Sequence, residues 1–227
     1  MFFKLTFYMP YIYKKMIYTF IIILLTVLIS LKGFKDLYFF NKYKFEISSI
    51  KKGEKIRMLS SGFLHVDYNH LFLNLFTLFI FSGQVINIVG SINYLFIYLI
   101  SLYAGNYFTL KFHEKEPLYS AVGASGAVTG IVYSSIILYP EMKLMLIFLP
   151  IPLPAYVFGI LYMLYSIYGM NKNVGNIGHI AHFGGAIAGL FVTLVIYPQI
   201  INQNLWIIIL MMIPIILFIV NSKRKIF

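Results

Sequence analysis

Stretches of mostly apolar residues follow one another along almost the whole chain, at about 12–31, 68–89, 92–110, 118–138, 155–170, 178–197 and 205–220. Most are close to the roughly 20 residues that an α-helix needs to cross a bilayer core about 30 Å thick. In lipid no water can satisfy the backbone, so such segments fold as helices whose hydrogen bonds close internally. The fold class that follows is an all-α polytopic membrane protein. Composition agrees, since 60% of the 227 residues are hydrophobic and 11% charged, against about half and a quarter in soluble domains. The segments use up the length, so residues 1–227 read as one membrane-embedded domain, with a six-helix core at about 12–197. The run 205–220 is short for a span and holds Pro214, and it reads as an added seventh helix.

The connections carry the charge. The net charge of +11 comes from basic residues lying between apolar runs, where anionic lipid headgroups are the nearest partner, so membrane lipids are expected as partners and nucleic acid is not. The first run has Lys4, Lys14 and Lys15 at its start and no small-residue cleavage site, so it reads as a retained helix with lysines reaching to the interface. The segment 32–64 is the one long loop, basic and interleaved with Phe34, Tyr38, Phe39, Phe40, Tyr43 and Phe45, a composition suited to the headgroup level. Leu149-Pro150-Ile151-Pro152-Leu153-Pro154 cannot continue a helix and is read as an interfacial loop. Cysteine is absent, which excludes disulfides, thiolate catalysis and Cys-ligated zinc.

Polar side chains inside spanning segments are costly, and they mark candidate function. Three sets stand out. His70 and Asn74 are four apart and share one helix face. Ser125 lies in Gly123-Ala124-Ser125-Gly126 at the mouth of the fourth segment, where the absent neighbouring side chains leave its hydroxyl reachable as a nucleophile. His182 opens the sixth segment, with Gly185 and Gly189 on the same stripe. Gly126-xxx-Gly130 and Gly185-xxx-Gly189 are patterns that let helix backbones approach closely, and such packing would bring Ser125 to His182 as a nucleophile and its base. His70, Asn74 and the Ser125 N–H are the donors available to an oxyanion. His65 is read as ordering the loop before the second segment and His113 as solvated in a polar turn. A metal held by His179 and His182 lacks a carboxylate nearby in sequence.

The ordered set His70-xxx-Asn74, Gly123-Ala124-Ser125-Gly126 and Ala181-His182-xx-Gly185-xxx-Gly189 resembles the rhomboid family of intramembrane serine proteases, over roughly 57–190. The resemblance implies a six-helix core, Ser125 as nucleophile, His182 as general base and acid, oxyanion binding by His70 and Asn74, no third triad member and no cofactor. It implies transmembrane proteins as substrates, cut at peptide bonds in or near a spanning segment, with a small side chain before the cut. Two departures show. Ile56-Arg57 stands where the family often has Trp-Arg, and Thr129 stands where an aromatic residue four after the serine often stacks on the histidine, so that Phe183 or Tyr133 is the ring expected to hold His182.

A non-cleaving relative that binds membrane helices is the alternative, against which the intact Ser125 and His182 argue. A proton-relay transporter is disfavoured because no intramembrane Asp or Glu appears beyond Asp67 at a helix start. The fifth segment follows the proline-rich stretch and contains Gly159, so it reads as the lateral gate, with Phe158 and Tyr162 as the large side chains closing it. Counting basic residues places the first loop in the cytoplasm. The resemblance implies the reverse, a bacterial cytoplasmic membrane with the first loop and the site on the outer face, and that orientation is the one adopted.

Overall fold

A computed structural model describes residues 15–146, 149–172 and 178–222. Seven long helices run through it: α1 (Ile17–Lys35), α5 (Tyr68–Val89), α6 (Ser91–Phe112), α7 (Ser125–Leu138), α8 (Ala155–Lys172), α9 (His179–Ile196) and α10 (Gln199–Ser222). Between α1 and α5 lie the short helices α2 (Leu37–Tyr43), α3 (Ile47–Lys51) and α4 (Arg57–Ser60) and a 3₁₀ turn at Ser61–Phe63. Four helices, α1, α5, α9 and most of α10, are long and apolar enough to cross a membrane. The fold is the all-α polytopic one expected.

Helix α7 is the axis. Its sequence is small or apolar on every side, and each residue from Gly126 to Leu138 is buried, as befits a helix without a polar face. Helices α5, α6 and α9 pack around it, and α8 and α10 close the far side. At 1.5 Å per residue its 14 residues rise only about 21 Å, short of a bilayer core of about 30 Å. Ser125 is its first residue. The connection into it is set by the first loop: β1 (Phe45–Glu46) pairs antiparallel with β2 (Ser120–Ala121), Phe45 opposite Ala121. Phe45, Ile47, Ile50 and Met58 form a small core beneath this pairing, against Tyr119 and Leu110.

Several expectations change. The first helix begins at Ile17 and runs to Lys35, past the expected end at 31, because Gly33 packs tightly under Leu64 and keeps the last turn within the protein. Residue 12, its expected start, lies outside the described residues, as do 173–176 of the polar segment before α9 and Lys223-Arg224-Lys225. The proline-rich stretch is a strand rather than an irregular loop: β3 (Lys143–Leu146) pairs with β4 (Leu149–Pro154), Lys143 opposite Pro154 and Leu144 opposite Leu153. Prolines fit an edge strand, where a missing N–H costs no ladder bond. The seventh helix starts six residues before the expected 205. A kink at Asn204 (φ −133°, ψ 34°) joins its polar first turn to the apolar run, and the Asn204 amide donates to the Ile137 carbonyl at 3.0 Å, capping the end of α7.

Candidate active site

The backbone before Ser125 is held from three sides. Gly123 has φ +130°, a conformation that favours glycine, and a Cβ there would come within 2.7 Å of His70 Cε1. The His70 ring thus rests directly against the loop that delivers the serine. The Gly123 N–H donates to Ser61 O at 3.0 Å. The Ala124 N–H points to His65 Nε2 at 3.4 Å, while His65 Nδ1 meets Ser30 Oγ at 3.0 Å and Ser30 Oγ donates to Phe63 O at 2.9 Å. These roles agree on one arrangement, with the proton on Nδ1 and the Nε2 lone pair turned to the amide. His65, fully buried, so ties α1 to the residue before Ser125, and burial pushes its pKa down to about 3. On α5, the Asp67 carboxylate caps the helix by accepting the His70 N–H at 2.7 Å. The Asn74 amide donates to His70 O at 3.0 Å, which leaves its second N–H.

Small residues bring α7 and α9 into backbone contact. Gly185 lies against the Gly126 carbonyl and Gly189 against the Gly130 carbonyl, each too close for a side chain. The stripe continues in hydroxyls: Ser134 Oγ donates to Gly189 O at 3.1 Å and Thr193 Oγ1 to Ser134 Oγ at 2.8 Å. Gly105 of α6 backs onto the Ala181 carbonyl in the same way, so α9 is seated against both neighbours just where His182 begins it.

Ser125, His182, His70 and Asn74 all line one cavity of about 1160 Å³, whose other walls include Thr77 and Phe81 of α5, Val132 of α7 and Phe158 and Tyr162 of α8. No hydrogen bond joins Ser125 to His182 among the described contacts. His182 is instead engaged from α8, with Tyr162 Oη 2.8 Å from its Nδ1 and the two rings inclined by 25° with centroids 6.0 Å apart. Neither ring expected to hold His182 does so. Phe183 packs edge-on against Phe108 and Phe218, and the Tyr133 hydroxyl donates to Gly159 O at 2.6 Å. Tyr162 was picked out in the sequence only as a side chain closing the gate, and its contact with His182, 20 residues away, carried no local signal. Asn106 was also missed: its amide donates to Met58 O at 2.8 Å and Ser61 Oγ at 3.1 Å, tying α6 to the loop under Gly123. His113 is not solvated but stacks on Tyr119, centroids 3.6 Å apart, with Glu116 3.0 Å from its Nδ1. The His179 and His182 rings are 6.5 Å apart, and among the described residues no three His, Cys, Asp or Glu side chains group to hold a metal.

Residues 52–199 match the Rhomboid domain. The chain belongs to the rhomboid family. Among curated rhomboids, it is similar to Rhomboid protein 1, mitochondrial, of Saccharomyces cerevisiae, 31% identical over 106 residues, covering 45% of this chain and 31% of the yeast protein. It is also similar to RHOMBOID-like protein 12, mitochondrial, of Arabidopsis thaliana, 28% identical over 149 residues, covering 59% of this chain and 44% of the plant protein. A third relative is YdcA of Bacillus subtilis, named as a candidate rhomboid protease, 33% identical over 93 residues, covering 40% and 45% of the two chains. The chain thus spans less than half the length of each of these rhomboids. The expected setting in a bacterial cytoplasmic membrane gains no support here, because two of the three are mitochondrial; what stands is a multi-pass integral membrane protein.

The Arg57 of this rhomboid anchors the first loop without the tryptophan often found before it. Its guanidinium is buried, donating from Nη1 to Asn41 O at 2.8 Å and Lys44 O at 2.9 Å and from Nε to Glu54 Oε2 at 2.7 Å. Ile56, in the tryptophan's place, is 60% exposed. The arginine bridges Asn41, Lys44 and Glu54 without a tryptophan beside it.

Proposed function

We propose that this chain is an intramembrane serine endopeptidase that cleaves peptide bonds in or at the edge of transmembrane segments of other membrane proteins. The single observation that carries the reading is that Ser125, His182, His70 and Asn74, drawn from three helices, line one cavity. In the proposed reaction Ser125 Oγ attacks the scissile carbonyl carbon while His182 takes its proton. The oxyanion faces the His70 ring, the free N–H of Asn74 and the Ser125 N–H, which as the first amide of α7 has no helical acceptor. The tetrahedral intermediate collapses as the C–N bond breaks and His182 protonates the leaving amine. Water, activated by His182, then hydrolyses the acyl-enzyme on Ser125.

A substrate helix hides its carbonyls in its own hydrogen bonds, so segments with glycine, proline or polar residues near the surface are the expected substrates. One observation favours the alternative, a non-cleaving rhomboid that only binds membrane helices: Ser125 and His182 share the cavity without a direct hydrogen bond. Such bonds are often long before substrate binds. The test is incubation of the purified chain in detergent with a labelled membrane-helix substrate, wild type against Ser125→Ala. Cleavage by the wild type alone supports the proteolytic reading, and binding without cleavage by both supports the alternative.

A further inference from the structure

The Tyr162–His182 bond can be made in two ways, and only one leaves a base. If the phenol donates to Nδ1, the ring's proton sits on Nε2 and the nitrogen left for Ser125 cannot accept. If Nδ1–H donates to the phenol oxygen, Nε2 carries the lone pair. What decides is where the phenol's own proton goes. Thr129 also hydrogen-bonds the Tyr162 side chain, and Thr129 Oγ1 already donates its proton to Ser125 O at 2.7 Å. It can offer the phenol only lone pairs.

The chain of donors then runs in one direction, from His182 Nδ1–H to Tyr162 Oη–H to Thr129 Oγ1–H to the carbonyl of Ser125. Reversed at the first step, the phenol would spend its proton on His182 and the Thr129 lone pairs would go unused, one hydrogen bond fewer within the chain. We infer that Tyr162 is a positioning residue which, oriented by Thr129, holds His182 in the tautomer that can deprotonate Ser125. The inference rests on the proteolytic reading and adds to it a third member, supplied by α8. It gives Tyr162, read from the sequence as one of the large side chains closing the gate, a role beside the base.

The test uses the full chain in detergent and four variants: Tyr162→Phe, which keeps the ring and removes the hydroxyl, Thr129→Val, the double variant, and Ser125→Ala. With a labelled membrane-helix substrate, Tyr162→Phe should lower kcat about 10- to 100-fold, part of the roughly 100- to 10,000-fold that a positioned base contributes, with KM changed less than about twofold. Thr129→Val should lower kcat by less, and the double variant should be no worse than Tyr162→Phe. A kcat for Tyr162→Phe within twofold of wild type, a loss confined to KM, or additive losses in the double variant would overturn the inference. If Ser125→Ala cleaves as well as wild type, the proteolytic reading fails instead. Nitrogen-15 spectra of histidine-labelled protein read the tautomer without any activity: His182 should carry its proton on Nδ1 in the wild type and lose that preference in Tyr162→Phe. A wild-type His182 protonated on Nε2 overturns the inference whatever the enzyme does.

Discussion

Replacing Gly185 by alanine should damage the enzyme out of proportion to one methyl group. A Cβ built at Gly185 would lie 2.7 Å from the carbonyl carbon of Gly126 and 3.0 Å from its Cα, and closer still to the oxygen. The atoms it meets are backbone in the first turn after Ser125, with no flexible side chain to turn aside. Reaching an ordinary contact near 3.6 Å requires α9 to back away from α7 by on the order of 1 Å, and overpacking of this kind costs about 1–3 kcal/mol. The chemical cost is larger, because His182 sits one turn earlier on the same helix and moves with it. A displacement of about 1 Å at a reacting group costs on the order of 100-fold in rate. Gly83→Ala on α5 is the matched control, since a Cβ there meets nothing within 4 Å. The assay is thermal stability in detergent beside turnover of a membrane-helix substrate. Gly185→Ala should lose several degrees and about two orders of magnitude in kcat while Gly83→Ala keeps both. A Gly185→Ala enzyme with wild-type stability and turnover would refute the packing argument.

Three further outcomes are expected. Arg57→Met should leave the Asn41 and Lys44 carbonyls without their donor and cost about 2–3 kcal/mol, read as earlier proteolysis within the first loop; unchanged protection would show that the loop is held elsewhere. His65, whose folded pKa is lowered to about 3, binds its proton more readily in the unfolded chain. The stability it contributes is therefore fully present above about pH 6.5 and is lost as pH falls from there toward 3, at up to about 1.4 kcal/mol per unit. His65→Gln, which keeps a donor and an acceptor but does not titrate, should lose less stability than wild type between pH 7 and 4.5, and parallel curves would contradict this. In this cysteine-free chain, Lys44→Cys should react with an impermeant thiol reagent from outside the intact membrane and Lys143→Cys only after lysis, whereas the opposite pattern would invert the protein.

The parts of this fold that could be read from the sequence are those with a period or a punctuation mark. The spans announce themselves by apolar length, the α7–α9 contact by glycines four apart, and the start of α5 by Asp67 three before His70. Contacts made by one side chain across a long loop leave no such trace. Tyr162 is one aromatic among the many of α8, and nothing within a few residues shows that it faces His182. The Asn204 kink escaped because Gln199, Asn202, Gln203 and Asn204 break the apolar run, so hydropathy alone starts the helix too late. Arg57 could be located by its motif, but its sufficiency without a tryptophan depends on the carbonyls of Asn41 and Lys44, which only the folded loop brings around it. The proline-rich strand was legible as non-helical and no further, since its pairing with Lys143 and Leu144 leaves no mark within the stretch itself.

The central claim is that Ser125 is a nucleophile activated by His182, and covalent labelling tests it most directly. The purified chain is treated with a fluorophosphonate and the adduct is located by mass spectrometry in wild type, Ser125→Ala and His182→Ala, each shown to be folded by its thermal transition. A single adduct on Ser125 is expected in the wild type and none in either variant, since a serine without its base is a poor nucleophile. A wild-type Ser125 that stays unlabelled, or a His182→Ala protein labelled as fast as wild type, would contradict the account.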